Sequence, residues 1–130
     1  QIVLPGIVVV RGTKYSDRAA ARKAARVLCE ALENQKGLDG LPLWIICDDA
    51  AFAKAQLNNF LWMTFTRSDP AADIDGAGAF TEDKHWGCTG PLVIDARIKP
   101  HHAPPLIEDP AVTRRVDALA EKGKSLYGII

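Results

Sequence analysis

Three short apolar runs, rich in β-branched residues, are spaced along the chain and bounded by turn residues. They are Ile7–Val10, Leu43–Cys47 and Pro91–Ala96. Continuous apolar runs of this length are typical of strands that are buried on both faces of a sheet. A helical pattern lies between the first two runs. This order of strand, helix and strand favours a parallel pair with a right-handed crossover.

The first helical pattern follows Ile7–Val10 and is expected to begin at Ser16 or Asp17, either of which can cap it. One stripe is apolar and is predicted to face inward, whereas the basic residues face outward. The inward stripe consists of Ala20, Ala24, Val27, Leu28, Ala31 and Leu32, and the outward residues are Arg18, Arg22, Lys23 and Arg26. Lys36–Gly37 and Gly40 are predicted to close this segment.

The second helical pattern follows Leu43–Cys47 and predicts one helix over Ala51–Thr66. The residues expected within reach of its apolar face are Phe52, Leu57, Phe60, Leu61 and Phe65. Arg67 and Ser68–Asp69–Pro70 are expected to end it, because the residue before a proline disfavours the helical region.

The C-terminal half of the sequence is less regular. Asp73 to Gly90 is too rich in Gly and Asp for a regular element and predicts a long loop, anchored by Phe80 and Trp86. The segment PHHAPP, from Pro100 to Pro105, is expected to be extended. Pro110 is placed to start a last helix, Ala111–Leu119, which Gly123 ends. Val112, Val116 and Leu119 are predicted to face inward, and the apolar tail SLYGII is expected to dock on this domain or on a neighbour.

The length of 130 residues predicts a single α/β domain with one core. We expect a layered, mainly parallel sheet of about three to five strands with helices packed on it. The 16 basic and 16 acidic residues give a net charge of zero, which argues against nucleic acid as a partner. No apolar run approaches the ~20 residues that a membrane span needs. Three cysteines fit a reducing compartment, so we expect a cytoplasmic protein.

Two short motifs suggest chemistry but have simpler interpretations. Gly12-Thr13-Lys14 follows the first strand but lacks the spacing of a phosphate-binding loop, and a plain turn is favoured. Asp48 and Asp49 follow the second strand and could hold a hard cation or act as an acid/base pair. We favour a helix cap, because nothing nearby in sequence supplies a third oxygen ligand.

His85, Cys88, His101 and His102 are residue types that bind zinc. Adjacent histidines rarely reach one metal and there is no pair of cysteines two residues apart, so ordinary hydrogen bonds are favoured. Cys88 could also act as a nucleophile with a histidine base, although no local signature supports this.

Three cations, Lys84, Arg97 and Lys99, accompany Asp95 in the sequence. They could receive a carboxylate ligand or pair with acidic neighbours, and pairing is favoured.

The stretch from Leu43 to Ile74 carries a family resemblance. An apolar strand runs into Asp48 and Asp49, and a helix with a Trp and an Arg is followed by Asp-Pro and then Asp-Ile. The positions in this helix and after it are Trp62, Arg67, Asp69, Pro70, Asp73 and Ile74. With Ile94-Asp95-Ala96, after which Arg97 stands in place of a family Thr, they resemble the C-terminal part of the UbiD family of decarboxylases (3-octaprenyl-4-hydroxybenzoate carboxy-lyase-like enzymes). The similarity covers roughly residues 6–119.

The resemblance implies a role inside a larger enzyme. UbiD-like enzymes, some of them in ubiquinone or menaquinone biosynthesis, decarboxylate aromatic or α,β-unsaturated acids with prenylated FMN, a divalent metal and a monovalent cation. Their catalytic and cofactor-binding residues lie upstream, so no catalytic, cofactor-binding or metal-binding residue is carried over to this chain. The C-terminal domain in that family forms a hinged lid over the active site and builds the oligomer interface. The implied partners are therefore the upstream catalytic domain of the same chain and further copies in a homo-oligomer.

The resemblance makes a set of residues candidates for structural or interface roles. They are Asp48, Asp49, Trp62, Arg67, Asp69, Asp73, Trp86, Asp95 and Arg97, with the Asp73–Pro105 loop and the SLYGII tail as contact segments. Residue 1 is Gln rather than Met, which is consistent with a piece of a longer chain. Two alternatives stay open, namely a standalone accessory subunit that joins a separate catalytic chain and a small metal-dependent enzyme that uses the His/Cys loop.

Overall fold

The computed structural model describes residues 1–102 and 109–129. The strands are β1 (Ile2–Leu4), β2 (Ile7–Arg11), β3 (Leu43–Cys47), β4 (Ile74–Gly76), β5 (Ala79–Glu82), β6 (His85–Cys88) and β7 (Leu92–Asp95). The helices are α1 (Arg18–Glu33), α2 (Ala50–Ala55), α3 (Leu57–Thr66) and α4 (Pro110–Ala120).

A five-stranded sheet with the order β1-β2-β3-β7-β4 forms the centre of the fold. The three apolar runs of the sequence become β2, β3 and β7, which are parallel, with Val9 beside Ile45 and Ile45 beside Ile94. The outer strands β1 and β4 run antiparallel to their neighbours. The predicted α/β class is confirmed, and the parallel part of the sheet is its middle.

Both faces of the sheet are covered by helices. Ile45 points to the face that packs against α2 and α3, where Ala53 and Met63 lie. The next residue, Ile46, points to the opposite face, which packs against Ala25 and Cys29 of α1. Because successive side chains of a strand alternate between faces, an uninterrupted apolar run is what two covered faces require.

Helix α1 begins at the predicted cap, because the Asp17 carboxylate accepts a hydrogen bond from Ala20 N at 2.9 Å. Its buried face differs from the prediction. The buried residues are Ala21, Ala25, Cys29 and Leu32, so only Leu32 of the predicted stripe is buried, and Val27 is 57% exposed. Small side chains on the buried face let the helix lie close to the sheet. A prediction based on hydrophobicity selects the larger apolar residues and therefore missed this face.

The prediction of one helix over residues 51–66 is wrong, because Gln56 is extended (φ −155°, ψ 153°) and separates α2 from α3. Of the five residues predicted for the apolar face, only Phe60 is buried. Phe60 is buried, with Met63 and Thr64. The remaining large apolar side chains of α2 and α3 are between 36% and 72% exposed: Phe52, Leu57, Leu61, Trp62 and Phe65. We call these five residues the exposed apolar face.

The long loop predicted between Asp73 and Gly90 contains β4 and a hairpin of β5 and β6. Asp83 and Lys84 form the two-residue turn, and both have positive φ, 48° and 68°. Such turns usually carry Asn-Gly or a similar pair, so the sequence gives no strong hairpin signal here. Phe80 and Trp86 are about half exposed and do not anchor the segment in the core.

Helix α4 matches the predicted position, but none of its residues is buried. Val112, Val116 and Leu119, predicted to face inward, are exposed, as are Tyr127 and Ile129 of the tail. The tail is hydrogen-bonded to α4, since Leu126 N donates to the Leu119 carbonyl at 2.9 Å, and its docking on a neighbour stays a prediction. The predictions for residues 103–105 and for Ile130 fall outside those ranges. No described helix has the length and hydropathy needed to cross a membrane.

Candidate functional site: a buried ionic cluster

Four charged side chains meet where the parallel strands end at their carboxyl side. Strand β7 ends at Asp95, and the chain continues through Arg97 and Lys99, which are almost completely buried. Asp73, which directly precedes β4, lies against Lys99. We call Asp73, Asp95, Arg97 and Lys99 the buried ionic cluster.

Arg97 holds Asp95 with two side-chain hydrogen bonds. Arg97 Nε donates to Asp95 Oδ1 at 2.9 Å and Nη2 donates to Oδ2 at 2.6 Å. The Arg97 backbone N also donates to Oδ1, at 3.1 Å, and Nη1 donates to the Thr13 carbonyl at 2.9 Å. The hydrogen bonds to Asp95 raise the pKa of Arg97 despite burial of the guanidinium. The two side chains thus form a bidentate, charge-assisted contact.

Lys99 connects the cluster to the end of α3. Its Nζ lies 3.1 Å from Asp73 Oδ2 and 3.9 Å from Asp95 Oδ1. It also donates to the carbonyl oxygens of Arg67 at 2.9 Å and Asp95 at 2.7 Å. Carbonyls in the last turn of a helix lack helical partners, and a lysine ammonium satisfies one here.

The turn after α3 is built by carboxylates. Asp73 Oδ2 accepts from Asp69 N at 2.8 Å, and Asp69 Oδ1 accepts from Ala71 N at 3.0 Å. Asp95 N in turn donates to the Asp73 carbonyl at 2.9 Å. The residues of the family resemblance that are far apart in sequence, Asp69, Asp73, Asp95 and Arg97, therefore come together in one place.

Trp62 and Arg67 make contact beside this turn. The Arg67 guanidinium carbon lies 4.8 Å from the centroid of the Trp62 ring, a cation–π arrangement. Trp62 also meets Phe52 edge to face, with ring centroids 6.2 Å apart. The exposed apolar face is thus continuous with the helix end that Lys99 holds.

Asp48 and Asp49 have separate structural roles. Asp49 Oδ1 accepts from Ala51 N and Phe52 N, both at 2.9 Å, so it caps α2 as predicted. Asp48 Oδ2 accepts from Ile98 N at 2.6 Å and connects the end of β3 to the segment after β7.

Gly12 and Thr13 contact Arg97 from the irregular segment between β2 and α1. A Cβ at Gly12 would lie 2.6 Å from Ile46 Cγ2 and 3.1 Å from Arg97 Cδ. The absence of a side chain at Gly12 therefore makes room for Arg97, a contact that the order of residues along the chain does not reveal.

The His and Cys residues are distributed over two places. His85 and Cys88 lie on β6, three residues apart and hence on opposite faces of the strand. His101 and His102 contact each other, with ring centroids 4.5 Å apart. Burial, and secondarily Lys99, lower the pKa of His102, whose Nδ1 is buried. Across residues 1–102 and 109–129, no three His, Cys, Asp or Glu side chains are arranged to hold a metal.

The cations of the cluster are engaged by its own acids and carbonyls. Arg97 and Lys99 pair with Asp95 and Asp73, as the sequence favoured, whereas Lys84 lies in the exposed hairpin turn. The cluster therefore does not fit a divalent metal or the phosphate of a flavin, which need ligands not already paired. The cluster has a structural role, because it holds residues 67–73 against residues 95–99.

The chain has sequence relatives among known proteins, although no family model matches it. It is 30% identical over 87 residues to a protein of Chlamydia pneumoniae that is named as a subunit of 4-hydroxybenzoate decarboxylase, which corresponds to 67% of this chain and 15% of that protein. It is also 30% identical over 88 residues to an uncharacterized protein of Chlamydia trachomatis, covering 68% of this chain and 15% of that protein. The chain thus spans about 15% of the length of these curated relatives.

Among solved structures, the chain resembles the vanillic acid decarboxylase of Sedimentibacter hydroxybenzoicus in an open form. The identity is 18%, the TM-score is 0.46, and the match covers 87% of this chain and 26% of that one. A second structure of that enzyme in an open form gives 18% identity and a TM-score of 0.45. The sequence comparison relates this chain to a segment of a decarboxylase subunit.

Proposed function

We propose that the chain forms the C-terminal lid and assembly domain of a UbiD-like decarboxylase that acts on aromatic or unsaturated carboxylic acids. In this proposal prenylated FMN, its divalent metal, the monovalent cation and the catalytic residues belong to the rest of the enzyme. Similarity to a subunit of 4-hydroxybenzoate decarboxylase supports the enzyme class. The domain itself contributes a surface and no reacting group.

The observation that carries the proposed role is that residues of the family resemblance meet in the buried ionic cluster, where their charges are paired with one another. Asp95 is paired with Arg97 and Asp73 with Lys99, all four within hydrogen-bonding distance of their partners. Both carboxylate oxygens of Asp95 are bonded to Arg97 and the group is buried, so neither oxygen is open to a substrate. Residues used in this way stabilise the geometry of a domain, so they support a structural contribution to the enzyme.

The exposed apolar face supports the proposal that this domain binds a larger protein partner. Five large apolar side chains on α2 and α3 include Trp62 and Phe65, and aromatic residues are enriched where proteins bind each other. A contiguous exposed apolar surface is costly in water and usually marks a contact site. Because Lys99 holds the carbonyl at the end of α3, this face is presented on a fixed element.

The test uses the longest reading frame that contains this chain, supplied with prenylated FMN and Mn²⁺. We expect release of CO₂ from 4-hydroxybenzoate or a related aromatic acid, and loss of that release when the present domain is deleted. A long chain that holds the cofactor but decarboxylates no acid in an aromatic and unsaturated panel would overturn the proposal. A reading frame that starts just upstream of residue 1 would favour the accessory subunit instead.

The contact surface can be tested in the same protein. We expect the pair of substitutions Leu61→Ser and Phe65→Ser to reduce assembly and turnover. Val27→Ser is the matched control, because Val27 is also an exposed apolar helix residue but lies on α1. Equal effects of the two changes would argue against the exposed apolar face as the contact.

A further inference from the structure

A cavity of about 180 Å³ lies beside the buried ionic cluster. It opens between α1 and residues 71–75, and its lining includes Tyr15, Asp95 and Lys99. Tyr15 follows β2 and Asp95 ends β7, so the cavity lies at the carboxyl end of the parallel strands. This edge is where open α/β sheets commonly bind ligands.

One wall of the cavity carries three arginines. Arg18, Arg22 and Arg26 are spaced by four residues and therefore lie on one side of α1. In the part of the chain that the structure describes, ion pairs involve only Arg97 and Lys99 as cations. Among residues 1–102 and 109–129, no carboxylate forms an ion pair with these three guanidinium groups. Between them the small side chains of Ala21 and Ala25 form the base of the wall.

The facing wall carries carboxylates that are mostly compensated. Asp95 is paired with Arg97 and Asp73 with Lys99, and Asp75 Oδ1 accepts from Gly76 N at 2.9 Å. The cavity therefore has an excess of available positive charge. Charge alone does not select a carboxylate over a phosphate, but the side chains of Tyr15 and Ile74 in the same lining favour an organic anion, because inorganic phosphate has no apolar part to bury.

We propose that this cavity binds a small monocarboxylate, up to the size of a single aromatic ring, through the arginines of α1. A cavity of about 150 Å³ can hold benzene, so the available volume suits one ring. The planar guanidinium of Arg22, the middle arginine, matches a carboxylate with two parallel hydrogen bonds. Tyr15 and Ile74 provide apolar surface for the body of the ligand. This site does not depend on the decarboxylase proposal.

The experiment is a calorimetric titration of the protein with benzoate, with inorganic phosphate and neutral benzamide as comparison ligands. We expect benzoate to bind more tightly than both. Arg22→Gln should weaken benzoate binding by at least about tenfold, the effect of losing a charge-assisted contact. Lys23→Gln is the matched control, because it removes the same charge from the next residue of α1, and Lys23 does not line this cavity. The affinity of the Lys23→Gln variant for benzoate should stay within about twofold of that of the unchanged protein.

Three results would overturn the proposal. They are no measurable heat with benzoate, phosphate binding as tight as benzoate binding, and equal weakening by Arg22→Gln and Lys23→Gln. Circular dichroism of each variant checks folding, and exposed Arg22 is not expected to matter for it. Arg26→Gln removes a second arginine from the cavity wall and is also expected to weaken benzoate binding.

Discussion

Arg97 and Asp95 are two residues apart in the chain, and their side chains form a bidentate ion pair that is 2% and 3% exposed. Removing one partner leaves a buried charge without compensation. We expect Asp95→Ala to lower the free energy of unfolding by about 3–5 kcal/mol, measured by urea denaturation. The neighbouring Lys99 would lose part of its compensation in the same variant.

Two further variants make this measurement specific. Asp117→Asn, on the exposed side of α4, should change the free energy of unfolding by less than about 0.5 kcal/mol. The double variant Asp95→Leu/Arg97→Met removes both charges and should be less destabilised than Asp95→Ala. A loss below about 1 kcal/mol for Asp95→Ala would mean that the pair is not a buried electrostatic contact.

The cap of α2 provides a second prediction. Asp49 accepts two amide hydrogen bonds, so Asp49→Ala should lower the free energy of unfolding by about 1 kcal/mol. Asp49→Asn keeps an acceptor oxygen and should retain most of the stability. Denaturant melts of the three proteins decide between these outcomes, and equal losses for Ala and Asn would contradict a capping role.

The cap of α1 predicts a dependence on pH. The hydrogen bond from Ala20 N lowers the pKa of Asp17 below its ordinary value. Its stabilising contribution is therefore fully present above the unfolded pKa of about 3.9 and is lost as the pH falls through the folded pKa. We expect the difference in melting temperature between the unchanged protein and Asp17→Asn to shrink between about pH 5 and pH 2. A difference that stays constant over this range would contradict the prediction.

The three thiols should differ in reactivity. Burial raises the pKa of Cys29 and of Cys47 to about 11, so both stay protonated and shielded near neutral pH. Cys88, the last residue of β6 in the hairpin, is only half-buried. We expect Ellman's reagent at pH 8 to modify one thiol rapidly and the other two only after unfolding. Cys88→Ser should abolish the fast phase, and a fast phase of two thiols would show that the core opens readily.

The three central strands of the sheet could be predicted from the sequence because they are buried on both faces, whereas β1 and β4 were not predicted. Ile45 and Ile46 are both apolar for this reason, and a continuous run of such residues has few alternatives. The α1 cap was predicted at Ser16 or Asp17 from local sequence preferences, and Asp17 is the residue that caps the helix.

The errors have physical causes outside the hydrophobic pattern. Gln56 is a good helix former, so its extended conformation could not be predicted from helix propensity. Asp83–Lys84 is a poor turn pair for a hairpin, so β5 and β6 gave no local signal. Phe65 has the hydrophobicity of a core residue but is 72% exposed. Hydrophobicity alone does not distinguish a side chain in the core from one on a contact surface.

The candidate site was partly predictable. Pairing of Arg97 and Lys99 with acids was expected from the charges around Asp95. The role of Asp73 in that pairing and the space left by Gly12 were not, because both depend on contacts between distant segments. The arginines of α1 were recognised as an outward face, but the cavity beside them becomes visible only when residues 71–75 are placed opposite.

Strands β1 and β4, the two margins of the five-stranded sheet, are only three residues long. Each offers few unpaired backbone groups to an incoming strand, which disfavours growth of the sheet by hydrogen bonding to another chain. Any partner of this domain is therefore expected to meet it through side chains. Recognition would then depend on the shape and chemistry of the helices, where evolution can change affinity without disturbing the sheet.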